Sequence, residues 1–142
     1  MTTFANPLAA HVWRSRYRFE EEPSIDATLD RVASALAEPE PHERHRWEAR
    51  FREALEGFRF LPGGRILAGA GTGRRVTLMN CFVMGTLDDS LEGIFSALHE
   101  AAITLQQGGG VGTDFSPLRP KGARTSATGG RSSGPVSFMQ LW

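Results

Sequence analysis

Apolar residues in the first part of the chain repeat at the spacing of amphipathic helices. One helix is predicted to begin after Ser24, a favoured N-cap residue, and to end before Pro39. A second is predicted from about His42 to Glu56, with Gly57 as its C-cap. The apolar positions that define them are Ile25, Leu29, Val32 and Leu36 in the first helix and Trp47, Phe51 and Leu55 in the second. This pattern predicts a helical N-terminal region over residues 1–60.

The pattern changes after this region. Residues 58–71 combine proline with closely spaced glycines, which argues against a regular helix. Residues 76–85 form an almost unbroken apolar run, and such a run predicts a strand covered on both faces. An Asp-Asp-Ser sequence at 88–90 then predicts the start of a long helix that ends near Gln107, and a short strand follows at 111–115. Strand, helix and strand make one crossover, which predicts an α/β fold with two parallel strands.

The last twenty residues predict a loop and the beginning of another helix. Residues 123–134 are small and polar and are expected to form a long mobile loop. Pro135 follows Gly134 and suits the first position of a helix. Apolar residues predominate after it, namely Val136, Phe138, Met139, Leu141 and Trp142, and no glycine or other stop signal follows. This favours a cut chain, or a subunit whose remainder is another chain.

Composition limits the kinds of protein this sequence can encode. The 142 residues are 40% hydrophobic and 23% charged, which is typical of a soluble globular domain. The formal net charge is zero, so the whole-chain charge favours neither nucleic acid nor an anionic membrane as partner. No apolar run approaches the roughly 20 residues of a membrane span, and the N-terminus does not have the pattern of a signal peptide. We therefore expect a cytoplasmic protein.

The candidate chemical groups are few, and several have an ordinary structural alternative. Cys81 is the only cysteine, which excludes an internal disulfide and a cysteine-rich zinc site. A lone cysteine in an apolar strand is most often a small buried hydrophobic residue. His42 and His45 have a spacing that could bind a metal, but no further ligand lies nearby in the sequence. The glycines at 108–112 follow a helix and lack the P-loop lysine, so they indicate either a backbone that approaches a ligand or a tight turn.

Taken together, the motifs resemble the N-terminal part of the large catalytic chain of ribonucleotide reductases. The residues of these motifs are most similar to those of the class II, cobalamin-dependent bacterial members. Six segments carry the resemblance, in this order: Phe-Leu-Pro-Gly-Gly-Arg-Ile-Leu-Ala-Gly-Ala-Gly at 60–71, Asn-Cys-Phe-Val at 80–83, Asp-Asp-Ser-Leu-Glu-Gly-Ile at 88–94, Gln-Gly-Gly-Gly-Val-Gly at 107–112, Leu-Arg-Pro-Lys-Gly at 118–122 and Ser-Gly-Pro-Val-Ser-Phe-Met at 133–139.

The resemblance implies a fold and an activity. The family's fold is a helical N-terminal region followed by a ten-stranded α/β barrel, of which residues 61–142 would be the incomplete start. The implied activity is thiyl-radical reduction of ribonucleotides, expected as diphosphates, to 2′-deoxyribonucleotides for DNA synthesis. The implied cofactor is adenosylcobalamin, bound mostly outside this chain. The implied partners are a deoxynucleotide effector, a thioredoxin-type reductant, the missing C-terminal portion of the reductase and, when complete, a second copy in a homodimer.

The resemblance also assigns roles to individual residues. Cys81 matches one of the two thiols that reduce the ribose and become a disulfide. The residues implied to contact the substrate are Asn80, Arg65, Gly109 and Gly110, and those implied to bind the effector are Asp88, Arg119 and Lys121. For Asp88 the alternative of a plain N-cap stays open. The chain by itself is expected to be inactive; the other hypotheses are a non-catalytic nucleotide-binding or regulatory module and a decayed fragment.

Overall fold

The computed structural model describes residues 2–125 and 129–142. The chain folds into two compact units, Met1–Asn80 and Cys81–Trp142. The boundary between these units follows Asn80, whereas the sequence predicts a domain boundary near residue 60. No helix within the described ranges combines the length and the apolarity that crossing a membrane requires.

The first unit is helical. Its elements are α1 (Pro7–Val12), a π-helical turn (Trp13–Tyr17), α2 (Ile25–Ala37), α3 (Arg44–Leu55), a 3-10 turn (Glu56–Phe58) and α4 (Gly64–Gly69). The hydroxyl of Ser24 accepts a hydrogen bond from the Ala27 N–H at 3.3 Å, so the predicted N-cap of α2 is confirmed. Gly57 follows the end of α3 with a left-handed φ of 63°, the conformation that favours glycine after a helix. Both predicted helices are thus present, each within a few residues of its expected bounds.

The core of this unit lies where α2 meets its neighbours. Leu29, Val32 and Ala33 of α2 are completely buried, which confirms the predicted apolar face. The other buried members of this core are Trp13, Ile25, Leu55, Leu67 and Ala70. Residues far apart in sequence therefore share one apolar core, whose burial is the main force that holds short helices together.

A buried polar network crosses this core. The indole N–H of Trp13 donates to the Thr28 hydroxyl at 2.9 Å, and that hydroxyl donates to Glu22 at 2.5 Å. Glu22 also accepts from the Arg31 guanidinium at 2.7 Å and from the Phe19 N–H at 3.0 Å. Burial alone would raise the pKa of Glu22, but the hydrogen bonds from Arg31, Phe19 and Thr28 outweigh it and hold the pKa below its usual value.

Helix α4 was not expected from the sequence. The argument that proline and glycine forbid a helix in residues 58–71 is wrong for Gly64–Gly69. The reason is that Pro62 and Gly63 stand before the helix, where neither residue interrupts a helical hydrogen bond. The stretch between the two end glycines consists of good helix formers, and Leu67 anchors it in the core.

The second unit contains one βαβ crossover. Its elements are β1 (Cys81–Val83), α5 (Leu91–Gln106), β2 (Gly110–Gly112) and α6 (Pro135–Met139). β1 and β2 are parallel, as predicted, with Cys81 opposite Gly110. The Ser90 hydroxyl caps α5 by accepting from the Gly93 N–H at 3.0 Å. The small core of this unit contains Leu87, Ile94 and Leu118, with Phe115, Phe138 and Trp142 packed against it.

The strand predicted over residues 76–85 as buried on both faces is wrong in length and in burial. Only Cys81–Val83 is strand, and Val83 is 97% exposed. Upstream, the Thr77 hydroxyl accepts from the Met79 N–H at 3.0 Å, a local bond that competes with strand pairing. Within the described residues β1 pairs with β2 alone, and its Val83 side chain has no layer over it.

Helix α5 is only partly buried, because Ile94 and Ala101 are buried whereas Leu91 and Phe95 are exposed. The mobile loop predicted over residues 123–134 lies in part outside the described residues, at 126–128. On either side of that gap, Arg124 and Arg131 form an isolated antiparallel bridge.

Glu22 is expected to stabilise the first unit only above acidic pH. Its folded pKa lies below the ordinary value of 4.5, so its contribution is complete above that value and is lost as the pH falls through the lowered folded pKa. Glu22→Gln should reduce the free energy of unfolding at neutral pH by about 1–3 kcal/mol and flatten its decline at acidic pH. Urea unfolding followed by circular dichroism from about pH 3 to pH 7 measures both effects.

The neighbouring carboxylate provides the control. Glu21 is 96% exposed and pairs with Arg18 at the surface, so Glu21→Gln should change stability by less than about 1 kcal/mol. If the free energy of unfolding of Glu22→Gln fell as steeply at acidic pH as that of the unmodified chain, the pH dependence would not come from Glu22.

Candidate functional site

Cys81 lies at the start of β1, beside the glycine-rich strand β2. The parallel register sets it opposite Gly110, and its thiol is free and exposed. The exposure argues against the alternative that Cys81 is a small buried hydrophobic residue. A thiol at the end of a strand, next to a residue without a side chain, can be approached closely by a small molecule.

Gly109 has a packing contact that the sequence did not indicate. It is buried, and a Cβ there would lie 2.7 Å from the Phe82 ring and 3.0 Å from the Thr104 methyl group. Its N–H donates to the Thr104 carbonyl at 3.0 Å, which satisfies this backbone donor within the protein. The geometry therefore makes Gly109 a packing contact that lets Phe82 lie against the end of α5.

Asn80 and Arg65 belong to the first unit, where both are exposed. Arg65 is in the first turn of α4. The Asn80 side chain lies against the residue before that helix, because a Cβ on Gly63 would be 3.3 Å from the Asn80 Oδ1 atom. The fold thus brings the Asn80 amide next to the turn that carries Arg65.

Tyr17 is a neighbour of this turn that the sequence did not indicate. A Cβ on Gly64 would lie 3.2 Å from the Tyr17 hydroxyl. Tyr17 sits at the end of the π-helical turn and packs against the apolar core. Tyr17 and Gly64 are 47 positions apart in the sequence, so only the three-dimensional structure shows that they meet.

Arg119 pairs with Asp89 and not with Asp88. Its Nε donates to the Asp89 Oδ2 at 2.6 Å, and its Nη2 donates to the Asp89 main-chain carbonyl at 3.1 Å. The side-chain hydrogen bond from Arg119 lowers the pKa of Asp89. Asp88 is exposed, and the N-cap of α5 is Ser90, so the N-cap alternative for Asp88 is wrong.

A cavity of about 540 Å³ lies beside the Asp89–Arg119 pair at the start of α5. It is lined by both members of the pair and by hydroxyl, cationic and apolar side chains that include Arg131, Ser132, Ser133 and Phe138. The positive end of a long helix and two arginines favour an anion here. Asp88 lines a separate cavity together with Glu92 and Glu100, and the Lys121 backbone packs against Gly134.

The carboxylates and histidines of the described residues do not gather into a metal centre. No three His, Cys, Asp or Glu side chains of that part of the chain lie close enough to hold an ion. The polar groups described above are instead an amide and an arginine in the first unit, and a thiol, hydroxyls and arginines in the second. Donors of this kind suit a nucleotide, because they can bind phosphate oxygens and ribose hydroxyls.

Comparison with known proteins agrees with these two units. Residues 3–75 match the ribonucleotide reductase all-alpha domain, and residues 79–142 match the ribonucleotide reductase barrel domain. A vitamin B12-dependent ribonucleoside-diphosphate reductase of Mycobacterium tuberculosis is 41% identical over 143 aligned residues, covering 94% of this chain and 20% of the relative. One of Thermoplasma acidophilum is 42% identical, covering 96% of this chain and 18% of the relative.

A more distant relative is the ribonucleoside-diphosphate reductase subunit alpha of Chlamydia pneumoniae, with 30% identity over 78% of this chain and 10% of the relative. The chain spans about a fifth or less of the length of these relatives. The helical first unit and the βαβ second unit correspond to the two matched domains. The chain therefore belongs to the ribonucleotide reductase family, as its all-alpha domain followed by the start of its barrel domain.

Proposed function

We propose that this chain is part of a vitamin B12-dependent ribonucleotide reductase that converts ribonucleoside diphosphates to 2′-deoxyribonucleotides. The observation that carries the proposal is the register of the parallel pair, which sets the exposed Cys81 opposite Gly110. The relatives from Mycobacterium tuberculosis and Thermoplasma acidophilum are named as vitamin B12-dependent ribonucleoside-diphosphate reductases. Because the chain spans about a fifth of those relatives, turnover requires the portion beyond the match.

Cys81 is proposed as one of two reducing thiols. Removal of the 2′-hydroxyl replaces the C2′–O bond with a C2′–H bond, and the hydroxyl leaves as water. The two electrons and two protons come from a pair of thiols, which become a disulfide; one proton ends in the water and the other in the new C2′–H bond. Since Cys81 is the only cysteine of the 142 residues, the second thiol and the thiyl radical that starts the reaction belong to the rest of the reductase.

The substrate-binding role is proposed for two groups of residues. The exposed Asn80 amide and Arg65 guanidinium lie at one turn of the first unit and supply donors for ribose hydroxyls and phosphates. Gly110, opposite Cys81, has no side chain that would stand between the sugar and the thiol. Gly109 supports this arrangement indirectly, because its lack of a side chain leaves room for Phe82.

The cavity beside α5 is proposed as the site of a deoxynucleotide effector. Arg119 and Arg131 offer cations for its phosphates, while Asp89 can accept a hydrogen bond from the 3′-hydroxyl. Asp89 takes the acidic role that the family resemblance suggested for Asp88, because it is Asp89 that lines the cavity and touches Arg119. Lys121 is near enough in sequence to assist, but it does not line this cavity.

The cofactor is proposed to bind mostly outside this chain. The cavity beside α5 is too small for a corrin ring with its nucleotide tail, and its side chains suit a free nucleotide instead. Adenosylcobalamin supplies the radical when it is bound to the assembled enzyme. The complete reductase is proposed to be a homodimer in the cytoplasm. A thioredoxin-type dithiol would then restore its thiols, because the cytoplasm keeps dithiols reduced.

A second candidate function is a non-catalytic nucleotide-binding module. It is favoured by one observation, namely that all residues lining the cavity beside α5 belong to the single unit Cys81–Trp142. Such a module would bind deoxynucleotides without reducing them.

Turnover with a complementing portion separates these two functions. We expect reduction of a ribonucleoside diphosphate, with adenosylcobalamin and a dithiol, only when this chain is mixed with the remaining portion of a similar reductase. Cys81→Ser should reduce repeated turnover to background, because serine cannot form the disulfide. A folded chain that binds deoxynucleotides but gives no turnover in the mixture would favour the module.

Gly109→Ala is expected to disturb the site through packing. The new methyl group would lie 2.7 Å from Phe82, so the ring must move and β1 with it. We expect a loss of roughly 1–3 kcal/mol in unfolding free energy and a lower kcat/KM in the assembled enzyme. Gly112→Ala is the matched control on the same strand, because its nearest neighbour would be at 3.9 Å. Equal losses for the two variants would contradict this role of Gly109.

Arg119→Ala is expected to weaken deoxynucleotide binding to the full chain about 10- to 100-fold, the cost of one charge-assisted hydrogen bond. Asp89→Asn should also weaken binding, whereas Asp88→Asn should not, because Asp88 faces another cavity. Arg124→Ala is the control for loss of a positive charge nearby. Isothermal titration measures the four affinities, and an effect of Asp88→Asn larger than that of Asp89→Asn would reverse the assignment.

A further inference from the structure

Arg31 of α2 makes an unusual set of contacts for a side chain in a helical layer. Its side chain is only 11% exposed, and its guanidinium donates to three main-chain carbonyls. The acceptors are the carbonyls of Ala70, Leu67 at 3.1 Å and Tyr17 at 3.4 Å. Leu67 is in the last turn of α4 and Ala70 follows that helix, so Arg31 satisfies carbonyls that the helix itself leaves without a partner.

Glu22 holds the guanidinium in one orientation. Its Oε1 accepts from the Arg31 Nε at 2.7 Å, and its Oε2 accepts from Thr28 and from the Phe19 N–H. The Glu22 side chain is also only 11% exposed. Because three donors bind the shielded Glu22 carboxylate, the ion pair has little freedom to rotate. The planar guanidinium of Arg31 is therefore directed at the carbonyls.

The opposite end of α4 carries the turn Gly63–Arg65, which lies beside the Asn80 amide and the Tyr17 hydroxyl. Helix α4 has six residues, so it is only about 9 Å long. A rigid element this short transmits a displacement of its last turn directly to its first. Arg31 also binds the carbonyl of Tyr17, whose hydroxyl contacts Gly64. One guanidinium therefore holds both the helix and the tyrosine that border the turn.

We propose that Arg31 is a positioning residue for the turn Gly63–Arg65, through which it sets the affinity for the ribonucleotide. This rests on the proposed function, in which Arg65 and Asn80 contact the substrate. Arg31 acts through α4 and Tyr17 and does not itself touch the substrate. Glu22 is the residue that keeps Arg31 in its working orientation.

Lysine cannot replace arginine in this role. A lysine at position 31 would keep the positive charge beside Glu22, but its single ammonium group lacks the planar fork that reaches several carbonyls at once. Arg31→Lys is therefore the informative variant, since it keeps the charge and loses the geometry. Glu22→Gln is the second, because it keeps the shape of the side chain that orients Arg31.

Arg52 provides the matched control. It is a second arginine of the helical unit, 24% exposed, and its ion pairs go to Asp26 at 2.8 Å and Asp30 at 2.5 Å in α2. Arg52→Lys should therefore affect the packing of α3 on α2 and leave α4 in place. Thermal unfolding of the full chain checks that the Arg31 and Arg52 variants remain folded and compares their loss of stability.

The first measurement is steady-state kinetics of the assembled reductase that contains this chain. Arg31→Lys should lower kcat/KM about 10- to 100-fold, as expected for a misplacement of the order of 1 Å, mainly through a higher KM. Glu22→Gln should shift KM in the same direction, while Arg52→Lys should keep the KM of the unmodified enzyme. An unchanged KM in Arg31→Lys, or an equal rise in Arg52→Lys, would overturn the proposal.

The second measurement does not depend on turnover. Hydrogen exchange of the full chain should become faster at residues 63–70 in Arg31→Lys but not in Arg52→Lys, because only the former loses carbonyl contacts there. Unchanged exchange at these residues would by itself overturn the positioning role. Absence of turnover from the unmodified assembly would instead reject the proposed function, so the two failures are distinguishable.

Discussion

Three backbone pairs between β1 and β2 bring Cys81 opposite Gly110, and the candidate thiol site depends on that pairing. Two strands of three residues are too short to be stable on their own in water. The pairing persists because α5 connects the strands and Phe82 packs against the bare backbone of Gly109. Gly109 is thus needed for packing, and it supports the candidate thiol site because it permits the strand register that places Cys81.

Local signals in the sequence predicted most of the helices and the crossover. Ser24 and Ser90 cap α2 and α5 because a hydroxyl acceptor next to an apolar run is a property of a few adjacent residues. Burial of β1 could not be predicted in the same way, since an apolar run does not reveal what covers it. The sequence argument against α4 failed for a related reason, because proline and glycine break a helix only when they lie inside it.

The candidate site shows the same division between local and tertiary information. Motif resemblance could propose roles for Cys81 and Arg119, because each motif is a short contiguous segment. It could not predict that Arg119 contacts Asp89 and not Asp88, since the two carboxylates are adjacent and only the fold decides which one faces Arg119. Tyr17 escaped notice altogether, because its contact with Gly64 exists only after the helical layer has formed.

Two of the arginine–carboxylate pairs among the described residues illustrate how burial decides what an ion pair does. Glu22 and Arg31 are shielded from water, and breaking either partner leaves an uncompensated charge, so this pair holds structure. Asp89 and Arg119 are each 34% exposed and border a cavity, where the pair gains little from desolvation and is weakened by salt. Such a pair can open at low cost, because water solvates both of its partners. The same chemical pair is therefore a fixed support where it is shielded and an adaptable contact where it borders solvent.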